Sequence, residues 1–550
     1  MSQSHAAVIE QPNPQQHGQP HRIHRRWLAV AGVVILTLAV VGAIVLAHYW
    51  PFSRERVTGA LQDDFHGQVT FTRFRTTIFP HPGCVAEGAA LIHAGAPADS
   101  PPFASAQKLV MRAHYWDFLL RPGYISHISV EGLQIHIPPR GSMPADQSHQ
   151  SPSSTRVGEV VANNALLEIA RKTAAPLRFE IHSLTLNSVS RKDGFNYDVV
   201  FLNAIPPGEI RSRGHFGPWN TGDPGQTPVS GTYKFEHAYL GVFDGIDGLL
   251  TAHDNFNGTL AQVEAHGAVD IPDFKVSRAA RSVPIDTKYD SFIDALNGDV
   301  RLERVESTIV KTKILARGSV AGTPGHPGKV TSLDLNTSRG RIQDILRIFI
   351  KEPRSPITGI ISFRAHATVP PEGRPFEQEV VLVGDFGIDE GHFTKPKTQQ
   401  EVDNLSERAR GKKVEDKDRQ NDNADDEDST RAIADLKGHV VLRNGVATLT
   451  NISFSVPGAV AYLHGTFNLL NQQIDFHGVL QTDAEFSKVG GGGIKSFFLK
   501  PFDAIFKKEP KGAEIPIRLT GTYSHPQPGL EITGGKKDEK KDEKKDEKKR

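Results

Sequence analysis

Residues 436–483 read LKGHVVLRNGVATLTNISFSVPGAVAYLHGTFNLLNQQIDFHGVLQTD, with apolar side chains recurring at alternate positions. A period of two places successive residues on opposite faces of an extended strand. Segments of this kind build a sheet with one apolar and one wet face. Asn444-Gly445 is a two-residue hairpin signal between two such runs. Asn471-Gln472 is expected to make a second tight turn. The same grammar, a Gly, four to eight alternating residues and a short polar turn, returns in 231–240, 258–274, 297–322 and 357–369. Fifty Gly and 36 Pro against three Met suit many turns and short strands rather than a helical bundle. No strict repeat identity accompanies the pattern, so it reads as a meander rather than a named repeat.

Upstream the pattern holds less regularly. Val69, Phe71 and Phe74 precede a turn at Pro80-His81-Pro82-Gly83, and strands are expected at 85–92, 109–114 and 125–130. Leu133, Ile135 and Ile137 alternate with Gln134 and His136. Residues 138–157, rich in Pro, Ser and Gly, read as a linker. Further strands are expected at 165–169, 177–186 and 195–202. The first of these also has tolerable helical spacing, but Asn163-Asn164 interrupts it and Pro176 follows, which favours strand. A short helix is expected at 57–61. Another is expected at 340–350, where apolar residues stand at 342, 345, 346 and 349 and Pro353 follows. Asp254-Asn255-Phe256-Asn257-Gly258 carries turn chemistry.

One stretch belongs to another class. Trp27 to Ala47 is a run of 21 residues without charge or Pro. As a helix it would be roughly 31 Å long, matching a hydrocarbon core of about 30 Å. It is longer than the apolar part of a cleaved signal, and it leads into His48-Tyr49-Trp50-Pro51-Phe52. The expectation is a single transmembrane helix with Trp27, Tyr49 and Trp50 at the membrane interface. Arg22, Arg25 and Arg26 before the run outnumber Arg54 and Arg56 after it. The positive-inside rule then places the N-terminus in the cytoplasm, with the bulk of a single-pass bacterial inner-membrane protein in the periplasm.

The remaining segments divide around this. Residues 1–26 are expected to be a disordered tail, 54–137 and 158–394 two β regions, and 395–533 a C-terminal β domain. The charged excursion 411–431 and the Lys/Asp/Glu tail 534–550 lack core-forming residues almost entirely. The lone Cys84 excludes an intrachain disulfide and a Cys-based zinc site. A net charge of +1 gives no global pull toward nucleic acid. His17, His21 and His24 sit in the polar tail, and the acidic run 422–428 lacks the Gly and terminal Glu of a calcium loop. Gly490–Gly493 with Lys495-Ser496 departs from a phosphate loop at Ile494. No catalytic, metal or cofactor constellation is present, and no enzyme activity is expected.

Four stretches together resemble the AsmA-like family of envelope proteins. They are FTRFRTTIFPHPGCVAEGAALIH at 71–93; YKFEHAYLGVFDGIDGLLTAHDNFNGTLAQVEAHGAVDIPDFKV at 233–276; SERARG at 406–411, leading into the 436–480 run; and KSFFLKPFDAIFKK with GAEIPIRLTGTY within 495–523. The resemblance is strongest from about 395 to 533, the region similar to the family's C-terminal domain. It implies an inner-membrane helix and a long periplasmic β-sheet curled into an apolar groove that carries phospholipids toward the outer membrane. The alternative, an older description of such proteins, is a scaffold that assists outer-membrane protein assembly and carries no lipid. The partners implied are the inner membrane, phospholipids and other envelope proteins.

The fold expectation is therefore mostly β: one N-terminal transmembrane helix, a long twisted antiparallel sheet or groove, and a few helices. Ile452, Phe454, Val456, Phe476, Ile515, Ile517 and Leu519 are the expected acyl-chain contacts, chosen by alternation. A register slip of one residue would turn any of them to the other face. Whether that face is an open groove or a filled core is left open by the sequence.

Overall fold

The computed structural model describes residues 50–530 apart from 66, 94–100, 122, 138–154, 171–175, 191, 221, 277–280, 324–327, 372, 396–433, 457–458 and 483–513. The described chain is mostly β, with few helices, in one long mixed sheet. From Leu177–Ser190 to His525–Leu530 it is an antiparallel meander, each strand hydrogen-bonded to the next. The one exception is the short Ile246–Asp247 strand, which pairs only with the end of Gln262–Val276.

The N-terminal part departs from the antiparallel pattern that the rest of the sheet keeps. Tyr124–Glu131 and Gln134–Ile137 run in line and pair antiparallel with Ala104–Arg112 on one side. On the other side both pair parallel with Arg156–Ile169. The linker expected at 138–157 therefore ends two residues earlier, because Arg156 and Val157 already lie in this strand. The strand expected at 165–169 is longer than the sequence suggested, and it is a strand rather than a helix. Asp254 to Gly258 is not a turn; it lies inside the Leu249–Thr259 strand, its polar residues set by the two faces of the sheet. The sheet runs through about 22 strand spacings of roughly 4.8 Å, on the order of 100 Å along its hydrogen-bonding direction.

Turns and bulges keep this sheet in phase. Asn444 and Gly445 have φ of 51° and 74°, the mirror-image two-residue turn that the right-handed strand twist favours. Asn451, with φ of 51°, makes a bulge where the register shifts between Leu449 and Ile452. The bulge absorbs one residue, so Ala447, Leu449, Ile452, Phe454 and Val456 all share a face.

Small helices sit against the apolar face. Arg54–Phe65 covers the first strand, and Val57 packs there with Trp50, Phe52, Phe71, Cys84 and Met111. The Ile342–Phe349 helix presents the expected stripe: Ile342, Ile345 and Leu346 pack with Ile361 and Ile388. Ile348 and Phe349 pack with Val276, Val283 and Ile309. Asp344 ties this helix to the turn beside it, accepting from the Thr312 hydroxyl at 2.9 Å and the Lys311 N–H at 3.2 Å. The helix touches both the Gln262–Val276 and the Ile357–Val369 strands. These strands stand five positions apart, about 24 Å on a flat sheet, whereas a helix with its side chains is only about 10–12 Å across. The sheet also folds back on itself here. The Phe376 N–H donates to the Asp244 carbonyl at 3.0 Å, although the neighbouring Val381–Phe393 and Gln262–Val276 strands stand six positions apart, at least about 29 Å on a flat sheet. Phe376 packs into two clusters of the apolar face, which is therefore the concave one.

No helix among the described residues is long and apolar enough to cross a membrane. The longest, Arg54–Phe65, has 12 residues, about 18 Å of rise, and carries Arg, Glu and Asp side chains. The inner-membrane single-pass placement expected from the sequence is corrected accordingly. Its basis, residues 27–47, lies outside the described residues, as do Trp27 and Tyr49.

Candidate functional site

The register places all seven expected contact residues on one face. Ile452 lies opposite Leu463, which pairs with Gly478, which pairs with Ile517. Phe454 lies opposite Ala461, followed by Leu480 and Ile515. Val456 pairs with Ala459, and Gly465, Phe476 and Leu519 make a third row. Each row also holds a small residue, Gly478, Ala461 or Gly465, beside its large ones. At Gly465 a Cβ would approach the Phe476 ring to 2.7 Å.

The same face continues across the sheet. Leu382, Phe386 and Ile388 join it beside Leu442, Gly438 and Leu436. Phe363 and Ala365, Leu335 and Leu333, Val305 and Leu302 extend it strand by strand. Further on come Phe256, Val229, Phe216 and Phe201. At the N-terminal end Leu109, Ala86 and Phe74 complete it. The opposite face carries cross-strand polar ladders. Arg317, Asp334 and His366 lie in one row, with the Asp334 carboxylate 2.9 Å from His366 Nδ1. That hydrogen bond, ahead of the Arg317 charge, holds Asp334 below the usual carboxylate range. His266 pairs with Asp290 at 2.8 Å and is raised by it.

Burial distinguishes an open face from a filled core. In a two-layer β-structure the inward side chains of each sheet are covered by the other. Here Ile452, Val456, Ile474 and Leu480 are buried, but Phe454, Leu463, Phe476, Ile517 and Leu519 are only half-buried. Leu302, Leu333, Leu335, Phe363 and Phe386 are half-buried too. Large side chains of the concave face thus pack against their row neighbours yet keep exposed area toward the hollow. Among the described residues, buried clusters gather where the Arg54–Phe65 helix, the Ile342–Phe349 helix and Phe376 sit.

One polar island interrupts the apolar floor. Tyr233, Asp254, Gly267 and Tyr289 form a single register row. Tyr289 donates its hydroxyl to Asp254 Oδ2 at 2.6 Å, and the Tyr233 and Tyr289 hydroxyls meet at 3.1 Å. Asp254 is 4% exposed, and its Oδ1 has no hydrogen bond. Burial pushes this carboxyl above its ordinary range, against the lowering effect of the Tyr289 hydrogen bond. Burial likewise raises both tyrosines. Turn chemistry at 254–258 does not reveal this cluster, in which Asp254 is a strand residue.

The remaining expectations fall as follows. Trp50 is buried at 8% exposure, its ring edge-on to Phe52 at 6.2 Å, within the first core cluster rather than on an exposed rim. No group of metal-ligating residues gathers among the described residues. The excursion 411–431, the Gly490–Gly493 run and the tail 534–550 lie outside them. Comparison with protein-family models, with curated proteins and with solved structures yields no match to this chain.

Proposed function

We propose that this chain is a lipid-handling protein of the AsmA-like kind, binding phospholipid acyl chains along the concave face of its sheet. The observation that carries the reading is the half-buried state of large apolar side chains, Phe454, Phe476, Ile517 and Leu519 among them, on a face that curls inward. Water against such a surface is displaced favourably by methylene groups, at about 0.8 kcal/mol for each CH2 buried. The sheet offers the same surface strand after strand, so an acyl chain meets a track rather than a single pocket. The binding is non-covalent, and movement along the track exchanges one set of apolar contacts for an equivalent set.

A scaffold that carries no lipid would be served by a filled core, and the half-exposed face argues for the lipid reading over it. Photocrosslinking from the concave face tests the proposal. Benzoylphenylalanine in place of Phe476 should crosslink phospholipid in cells. The same group in place of Tyr462, on the opposite face and 45% exposed, should not. Equal labelling from both positions, or from neither, would remove the basis for the reading.

A further inference from the structure

At the N-terminal end of the sheet, four large apolar side chains stand in water. Phe79 is 85% exposed, Leu120 75%, Trp116 74% and Ile78 59%. They come from two neighbouring segments, the turn between the first two strands and the Tyr115–Leu120 helix. The Ala113 N–H donates to the Pro82 carbonyl at 2.8 Å, and the Tyr115 hydroxyl donates to the Ile78 carbonyl. The rings of His81 and His114 meet at 5.7 Å. Scattered apolar side chains on a surface are ordinary, whereas a contiguous set calls for a partner.

The rim of this patch is basic. Arg75 precedes Ile78 by three residues, Arg112 pairs in register with Gly83, and Arg121 follows Leu120. All three are exposed, and no ion pair holds them among the described residues. The acid on the helix, Asp117, is already engaged by the Ser126 hydroxyl at 3.1 Å.

We propose that this patch docks into the interfacial layer of an anionic lipid bilayer. Side chains this exposed project from the surface rather than line a hollow, which suits insertion among headgroups. Trp, Phe and Leu tips ringed by Arg match that layer, where aromatic rings settle and basic side chains meet anionic phosphates. The proposal does not depend on lipid carriage in the trough, and its test reads bilayer contact rather than bound lipid, so either can fail alone.

The test uses the full chain carrying Phe79→Cys or Leu120→Cys, labelled with nitrobenzoxadiazole. Cys84 is fully buried, so the label goes to the introduced thiol. Lys437→Cys, on the polar face far along the sheet, is the control. With vesicles of phosphatidylcholine and phosphatidylglycerol, the probes at 79 and 120 should brighten several-fold and shift to the blue, while the probe at 437 stays unchanged. Replacing Arg75, Arg112 and Arg121 by Gln should weaken vesicle binding of the probes by about fivefold per arginine. Water-like emission at 79 and 120 while the chain floats with the vesicles would overturn the proposal. So would a blue shift that follows protein concentration without vesicles, which would make the patch a contact between copies of the chain.

Discussion

The hydroxyls of Tyr233 and Tyr289 lie 3.1 Å apart although two strands separate their own strands in the sheet. Three strand spacings are about 14 Å. On a flat sheet, side chains stand roughly perpendicular and diverge from such a meeting. Here they lean together over Asp254 and Gly267, and at Gly267 a Cβ would come within 2.8 Å of the Tyr289 hydroxyl. The missing side chain at Gly267 leaves the space in which the two rings close over the apolar face.

A charge placed on that face should block it without unfolding the sheet. Ile517 is half-buried and lies opposite Gly478, so Ile517→Asp keeps its carboxylate partly solvated. Phospholipid recovered with the variant is expected to fall severalfold, with only a small drop in melting temperature. Lipid analysis beside differential scanning calorimetry checks this. Unchanged lipid in a folded variant would argue against the track.

Asp254 should give the fold a measurable pH dependence. Its folded-state value is raised, chiefly by burial, whereas an unfolded aspartate titrates near about 3.9. Between the two values the folded chain binds more protons than the unfolded chain, so stability falls as pH rises through that window. Asp254→Asn removes the group that ionises. Urea midpoints measured from pH 4 to pH 7.5 should therefore fall less steeply with pH in the variant than in the parent chain.

Burial holds the Cys84 thiol at about 12. The thiolate is the reactive form, so Cys84 should resist maleimides at neutral pH in the folded chain and react fully in denaturant. Mass spectrometry of labelled protein reads both states. Rapid native labelling would show that the cluster around Trp50, Phe71 and Met111 opens readily.

Ile348 ties the Ile342–Phe349 helix to Val276, Val283 and Ile309. Ile348→Ala should lower stability by about 2–4 kcal/mol, the cost of a cavity at a buried aliphatic site. Because this helix bridges two parts of the curl, hydrogen exchange should quicken in both the Gln262–Val276 and the Ile357–Val369 strands. Protection lost in one strand alone would mean that the helix is not the bridge.

Much of the sheet could be read from alternation and turn chemistry. Asn444-Gly445 turns where the hairpin signal put it, and the stripe at 342, 345, 346 and 349 forms a helix. The seven contact residues fall on one face because the alternation on each strand is regular from Ile452 onward and from Glu514 onward. The slip from Leu449 to Ile452 is visible in the sequence as apolar residues three apart, and Asn451 supplies the positive φ that absorbs it. Parallel pairing of Arg156–Ile169 was not legible, since alternation is blind to strand direction. The partnership of Asp254 with Tyr289 was not legible either. They are 35 residues apart, and only the combined register of three strands brings them together.

Native mass spectrometry of the full chain, extracted in mild detergent and followed by lipid analysis, tests the trough most directly. Phospholipid bound at a defined stoichiometry, and displaced by Phe454→Asp or Ile517→Asp, is the expected result. A folded chain that comes off free of lipid, under conditions where a known lipid carrier keeps its cargo, would contradict it.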